Sequence, residues 1–260
     1  MNEVAFAFVG KCSKINENMK RNYHAIALDK IDIGEADRLY TFYTLENGLI
    51  RVPARSVRKG KAKLAMQVED FVLSHITIAQ GYGRGTLAGA VAEDYFVSLH
   101  ENFLALECVD NVRTVFLSII DENECDKRVF MLLVAYLEEM NKLAKKQDSK
   151  NDNTNLNWCT HAFLIKLFCL QGYDFHTHKC SICNSRISEV RNGFSVSSGG
   201  VLCVNCSCNE YFCYIDPDTL KALRVIKNNN LTSLLKVTIN EDVHKQLKSI
   251  VYNIEKWVMR

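Results

Sequence analysis

Four cysteines carry the clearest chemistry in this chain: Cys180-x2-Cys183 and Cys203-x2-Cys206, with nineteen residues between the pairs. Each C-x-x-C turn can offer two thiolates to one ion, and two such turns complete the tetrahedron that Zn²⁺ accepts. The spacing falls in the range of known zinc sites. Gly199-Gly200, just ahead of the second pair, supplies the permissive backbone a tight knuckle needs. Four thiolates leave no position open for substrate, so the expected ion is a single structural Zn²⁺ held by Cys180, Cys183, Cys203 and Cys206. Four free thiols, or a redox dithiol, are the competing readings. His176, His178, Cys208 and Cys213 lie nearby in sequence, but the shell is already full without them.

A second constellation is basic. Arg51, Arg55, Arg58, Lys59, Lys61 and Lys63 fall within thirteen positions that contain no acid. Arg38 and Arg21 stand close by in sequence. A basic loop on a small β-barrel is how single-strand binders track phosphates, so these eight residues are the expected binding surface for the phosphates of a nucleic-acid strand. A solvated loop serving solubility is the bland alternative. Pro53, with no N–H to donate, suggests that the run leaves its strand near that point and fans its side chains outward. Tyr23, Tyr40, Phe42 and Tyr43 are either stacking platforms for bases or core.

Other chemistries are missing from the sequence. Gly81-x-Gly83-x-Gly85 is neither a dinucleotide fingerprint nor a phosphate loop, since no Gly-Lys-Ser/Thr follows. No HExxH, GxSxG or DxDxDG occurs, and His24, His75, His100 and His161 are isolated from any nucleophile or carboxylate pair. The reading is therefore of a protein that is not an enzyme and has no small-molecule substrate. Lys+Arg 32 against Asp+Glu 30 gives a net charge of +2, so only the distribution of charge can point to a polyanion. No apolar run approaches the ~20 residues of a membrane span, and Val4–Val9 lacks the basic flank of a secretory signal. Cytoplasmic location follows, where clustered cysteines favour metal over disulfide. Cys108, Cys125, Cys159 and Cys169 sit alone within helical patterns.

These groups need elements to hold them. Tyr23–Ile33, Leu39–Leu45, Leu49–Ala54, Phe71–Ile78 and Thr86–Val91 are β-branched and aromatic and bounded by turn residues, with Asn47-Gly48 a strong hairpin signal. Five short strands in about 70 residues suggest a small barrel, with an open meander as alternative. Beyond residue 92 the period becomes helical. Val112/Val115/Phe116/Ile119 form one stripe, Val129 through Met140 another, and Tyr95/Leu99/Phe103/Leu106 a third. Asn141–Asn157 reads as an exposed loop. Trp158–Leu170 reads as a buried helix ended by Gly172, Asp216-Pro217 as a helix start, and Val243 to Val258 as a final amphipathic helix. The expected fold is α+β and multi-domain: an N-terminal extension at 1–21, a five-stranded barrel at 22–91, a helical domain beginning at 92–174, the zinc element at 175–215, and closing helices at 216–260.

Three stretches together resemble the bacterial RecO family of DNA repair proteins. They are His24-Ala-Ile-Ala-Leu-Asp-Lys-Ile-Asp-Ile-Gly34 with its Tyr-Thr-Phe-Tyr-Thr continuation, the basic Pro-Ala-Arg-Ser-Val-Arg-Lys-Gly run, and Gln171-Gly172-Tyr173 through the paired cysteines. The resemblance covers about residues 22 to 230 and is weakest through the helices. It implies an OB-fold barrel, a central helical domain and an inserted zinc element. It further implies a protein that binds single- and double-stranded DNA, anneals complementary strands, and with RecR helps load RecA onto DNA coated by single-strand-binding protein. The helices match too loosely to carry over the family's groove for that last partner. About twenty residues precede the first strand here, with Met19 as an alternative start. A zinc-ribbon adaptor contacting RNA in transcription or translation is the runner-up, and an enzyme scaffolded on the four-cysteine zinc a third reading.

Overall fold

The computed structural model describes residues 20–58, 63–80, 85–146, 152–188, 192–207 and 213–259. Strands β1 (Lys20–Ile33), β2 (Asp37–Thr44) and β3 (Gly48–Ala54) form a meander. A one-turn helix α1 (Lys63–Met66) leads to β4 (Leu73–Ala79) and β5 (Thr86–Asp94). The antiparallel sheet has the order β3-β2-β1-β4-β5. It curls until its edges β3 and β5 come within 8 Å, Cα to Cα, without pairing, an OB-like sheet that is not closed.

Strand alternation explains how this sheet serves two cores. Tyr23, Ala25 and Ala27 of β1, Tyr40 and Phe42 of β2, and Ile50 and Val52 of β3 fill its interior. On the opposite face Ile26, Leu28, Tyr43, Leu49 and Leu73 pack against helices. A register shift between Ala27 and Asp29 lets consecutive residues of β1 turn inward on both sides. All four strand aromatics are consequently core: Tyr40 and Phe42 stack at 5.6 Å inside, and Tyr43 meets Phe116 edge-on at 4.9 Å outside. With Tyr23 also buried, none is a platform for bases.

Pro53 does not end its strand. It pairs with Leu39 inside β3, which is tolerated because β3 is an edge. The chain leaves the sheet after Ala54.

The β2–β3 hairpin docks on the connection between two helices through Gly48. Its φ is +63°, and a Cβ there would lie 2.0 Å from the Glu124 carbonyl oxygen. Gly34, at φ +58°, has open space instead. Gly48→Ala should therefore destabilise by about 2–4 kcal/mol, combining left-handed strain with overpacking against backbone. Gly34→Ala should cost about 1–2 kcal/mol from strain alone. Urea midpoints of the two variants give the comparison, and equal losses would show that the hairpin is not held by this contact.

The helical part comprises α2 (Val97–Glu101), α3 (Phe103–Ile119), α4 (Lys127–Lys145), α5 (Asp152–Leu170), and, beyond the cysteine-bearing segment, α7 (Pro217–Asn228), α8 (Leu231–Leu234) and α9 (Glu241–Val258). A short α6 (Val204–Ser207) lies within that segment. Helix α5 is the axis: Leu156, Trp158, Cys159, Phe163, Ile165 and Phe168 point in all directions and all are buried. Its glycine terminus is as expected, with Gly172 at φ +89° and the Tyr173 N–H reaching back to the Phe168 carbonyl.

Two helical expectations are corrected. The 141–157 segment is not one loop, because α4 runs to Lys145 and α5 starts at Asp152. The Tyr95/Leu99/Phe103/Leu106 stripe is not one helix. Asn102, whose side chain accepts the Ala105 N–H as an N-cap, separates α2 from α3, so only Leu99 is fully buried and Phe103 is exposed. Cys125 lies between helices and donates its thiol to the Leu45 carbonyl. Among the described residues no helix is long and apolar enough to cross a membrane.

Candidate metal centre and nucleic-acid interface

The paired cysteines sit on a small sheet of order β7-β6-β8, made of β6 (Asn192–Ser195), β7 (Gly200–Leu202) and β8 (Cys213–Ile215). The first knuckle is a tight turn. The Cys180 N–H donates to the Ser185 carbonyl at 2.8 Å, and the Asn184 N–H to the Cys180 carbonyl at 2.9 Å, with Asn184 at φ +60°. The second knuckle leaves β7 into α6, where the Cys206 and Ser207 N–H groups return to the Cys203 carbonyl. Gly200 brings the two together. A Cβ there would meet the His176 N and O at 2.6 Å, and only a glycine lets the His176 segment pair with β7 so closely.

All four thiol sulfurs lie within 4.8 Å of one another. Cys183 Sγ and Cys203 Sγ are 3.7 Å apart, close to the ~3.8 Å edge of a tetrahedron with 2.3 Å zinc–sulfur bonds. Burial opposes ionisation of Cys180, but the N–H groups of Cys183, Cys203 and Ile182 outweigh it and its pKa falls. Hydrogen bonds from Ser185 hold Cys183 down to about 6, whereas the neighbouring Cys183 thiol pushes Cys206 up to about 12. The four sulfurs are close enough to share one ion, and the donor set fits a metal. His176, His178 and Cys213 are not in this cluster, and Cys213 donates instead to the Phe194 carbonyl. Cys208 lies outside the described residues. Burial raises the pKa of the buried thiols Cys108 and Cys159, and pushes that of half-buried Cys169 up to about 12, so none is held as a thiolate.

The element does not hang free. Phe194, Val201, Leu202 and Ile215 belong to the same core as the helices. Arg224 donates to the Thr177 carbonyl at 2.9 Å, while Lys227 donates to the Phe175 carbonyl and pairs with Asp174 at 2.6 Å. The C-terminal cations Arg224 and Lys227 are thus bound up in holding the element to α7.

The basic residues fall into two groups along the β3 edge. Arg21 and Arg51 line a cleft of about 240 Å³ beside Tyr23, Ile50 and Gln80, where the start of β1 faces β3. Arg38, Arg55 and Arg58 gather at the other end, around the β1–β2 hairpin. Here the Arg58 N–H donates to the Ala36 carbonyl and its guanidinium to the Gly34 carbonyl at 2.9 Å. Acids distant in sequence meet several of these cations. Arg51 pairs with Glu122 at 2.8 Å, and Asp32 takes both Arg38 at 2.7 Å and Arg58 at 3.3 Å. The Arg38 guanidinium holds the Asp32 carboxyl below its ordinary range. Arg21 and Arg55 have no carboxylate at ion-pair distance among the described residues. Lys59 and Lys61 lie outside the described residues, and Lys63 opens α1.

One feature escaped the sequence reading. Between α4, α5 and α7 a groove of about 480 Å³ has an apolar floor that includes Met131, Leu132, Ile165 and Ile226, with Arg128, Lys166 and the Lys227–Asp174 ion pair at its margins. Burial lowers the Lys166 pKa, so its ammonium lacks full hydration. Its residues come from α4, α5, α7 and α8 and the turn after α5, and no run in the chain announces it.

Comparison with known proteins covers both halves. The family model described as "Recombination protein O N terminal" matches residues 19–96, and "Recombination protein O C terminal" matches residues 112–257. Among curated relatives, the DNA repair protein RecO of Dehalococcoides mccartyi is 28% identical over 224 residues, covering 86% of this chain and 85% of its own. That of Syntrophotalea carbinolica is 29% identical over 184 residues, covering 70% and 67%. That of Gloeobacter violaceus is 26% identical, covering 80% and 77%.

Proposed function

The chain belongs to the recombination protein O family, with a role in DNA repair and recombination, and from that premise we propose that it is a non-enzymatic mediator that binds single- and double-stranded DNA and anneals complementary strands. The observation that carries this reading is the gathering of cations beside strand β3 of an open OB-like sheet, Arg21 with Arg51 at one end and Arg38, Arg55 and Arg58 around the β1–β2 hairpin at the other. Lys59, Lys61 and Lys63 extend the same run. Cations that engage the phosphates of both strands reduce strand repulsion and release counterions, so annealing requires no nucleotide hydrolysis. Asp32 and Glu122 orient Arg38, Arg58 and Arg51 before DNA arrives, and phosphate oxygens replace those carboxylates on binding. The protein would act in the cytoplasm at the nucleoid, with RecR, in loading RecA onto DNA covered by single-strand-binding protein.

Cys180, Cys183, Cys203 and Cys206 would hold one Zn²⁺, whose contribution is to lock the two knuckles together. Four sulfur donors fill its coordination, so its role is structural.

Annealing of complementary oligonucleotides across a salt series tests the main reading. Annealing that weakens steeply with salt and proceeds without nucleotide is expected. An RNA-contacting adaptor would not accelerate DNA annealing at any salt.

The groove between α4, α5 and α7 supports the single-strand-binding protein as a partner, since it would seat a segment bearing apolar side chains and a carboxylate. Lys166→Glu should weaken that partner's binding at least tenfold, read by anisotropy of the labelled partner, and leave free-DNA affinity unchanged. Equal binding by parent and variant would place the partner elsewhere.

A further inference from the structure

His24, His75 and Glu93 converge on the outer face of the five-stranded sheet, well away in sequence from the paired cysteines. We infer that they form a second metal site, for one divalent transition ion. His24 and His75 are directly opposite each other on β1 and β4, the relation that brings side chains on one sheet face into contact. Their ring centroids are 4.1 Å apart. Glu93, on β5, places Oε2 3.3 Å from His75 Nε2. That separation is the ~3.3 Å edge of a tetrahedron whose metal–nitrogen and metal–oxygen bonds are about 2.0–2.1 Å. One ligand atom from each of the three residues lies within 4.8 Å of the others.

Glu46, on the β2–β3 turn, prepares the site. Its carboxylate accepts the His24 backbone N–H at 3.0 Å and lies 3.1 Å from His24 Nδ1. With Nδ1–H donated to Glu46, the lone pair of His24 belongs to Nε2, and the ring is held in place. This is the outer carboxylate that metal-binding histidines generally have. All four side chains are about half exposed, so an ion could enter without local unfolding. Three protein ligands leave a coordination position for water. Two imidazoles with one carboxylate select cobalt, nickel, copper or zinc over magnesium or calcium. The same strand faces bury Ile26, Leu28 and Leu73 against the helices further along. An ion here would therefore clamp β1, β4 and β5 together beside the barrel's junction with the helical part.

Co²⁺ is the probe, added to the chain as purified with its cysteine-bound metal in place and followed by calorimetry and visible absorption. One equivalent should bind, with a d–d spectrum and without the sulfur-to-cobalt charge-transfer band that exchange at the cysteines would produce. His75→Gln and Glu93→Gln should each weaken uptake at least tenfold, and Glu46→Gln by about 10–100-fold. These positions face solvent, and melting curves before cobalt is added serve as the folding control. His24→Gln gives an independent measure should any of the others melt early. A parent chain without saturable uptake, or histidine variants that bind Co²⁺ as the parent does, would overturn the site.

Discussion

Removal of the zinc proposed at Cys180, Cys183, Cys203 and Cys206 is expected to unfold much more than the two knuckles. Elemental analysis of the purified protein should find about one zinc per chain at the cysteines. Structural zinc sites of this kind contribute on the order of 10–16 kcal/mol of apparent binding free energy, against about 5–15 kcal/mol for the net stability of a typical domain. Phe194, Val201, Leu202 and Ile215 share one core with Leu220, Leu223 and the central helix, and Arg224 and Lys227 bridge the two. Chelation should therefore melt residues 175–215 and loosen α7 with them, seen as lost amide protection along both. Cys183→Ser, which removes one thiolate, should lower Tm by roughly 8–16 °C. That corresponds to a loss of about 4 kcal/mol at the 2–4 °C per kcal/mol expected for chains of about 150–250 residues. DNA affinity per folded molecule should hardly change. A folded protein with far less than one zinc would refute the centre. A variant that melts like the parent but no longer binds DNA would make the element part of the DNA surface.

The second large effect concerns the basic edge. If four to six cations meet phosphates, log K for single-stranded DNA should fall against log salt with a slope of roughly −3 to −4, at about 0.7 per contact. Affinity should then drop about 100-fold between 50 and 200 mM salt. Replacing Arg55, Arg58 and Lys59 with Ala should flatten the slope by roughly two units and abolish annealing. Tm should fall modestly, because Arg55 is solvated surface worth at most ~0.5 kcal/mol, whereas Arg58→Ala gives up the hydrogen bond to the Gly34 carbonyl and the pair with Asp32. Asp32→Asn supplies the opposite sign. It removes the carboxylate that Arg38 and Arg58 share, so DNA binding should tighten while the fold stays intact. The slope should remain largely insensitive to base sequence, since phosphates carry none. An unchanged slope in the triple variant would move the DNA to another face. The C-terminal helices are a poor second choice, because Arg224 and Lys227 are already committed to the cysteine element and Lys221 lies 3.5 Å from Asp218.

Local interactions made much of this molecule legible from its sequence. The C-x-x-C turns, the Asn47-Gly48 hairpin, the glycine terminus of α5 and the Asp216-Pro217 helix start depend on residues within a few positions of each other. Period-2 and period-3.6 patterns record which face each element must bury, so the five strands and the long helices were readable as well. The misread features share a cause. The Asn102 side chain caps a new helix within the Tyr95/Leu99/Phe103/Leu106 spacing, and the polar residues around 141–146 and 154–157 belong to two helix ends. Burial of Tyr40, Phe42 and Tyr43 was undecidable in sequence, because β1 and β2 are covered on both faces and alternation alone names only one.

Charge shows the division most clearly. Counted along the chain, Arg51 to Lys63 is a run without acids. In the folded molecule Arg51 meets Glu122, and Arg58 meets Asp32 from the preceding hairpin. The groove between α4, α5 and α7 and the meeting of His24, His75 and Glu93 arise in the same way, from strands and helices distant in sequence. Spacing along the backbone determines which turns, strands and helices form. Coulomb interactions, metal coordination and apolar contact depend on distance through space, and only the tertiary structure decides which side chains are near enough to interact.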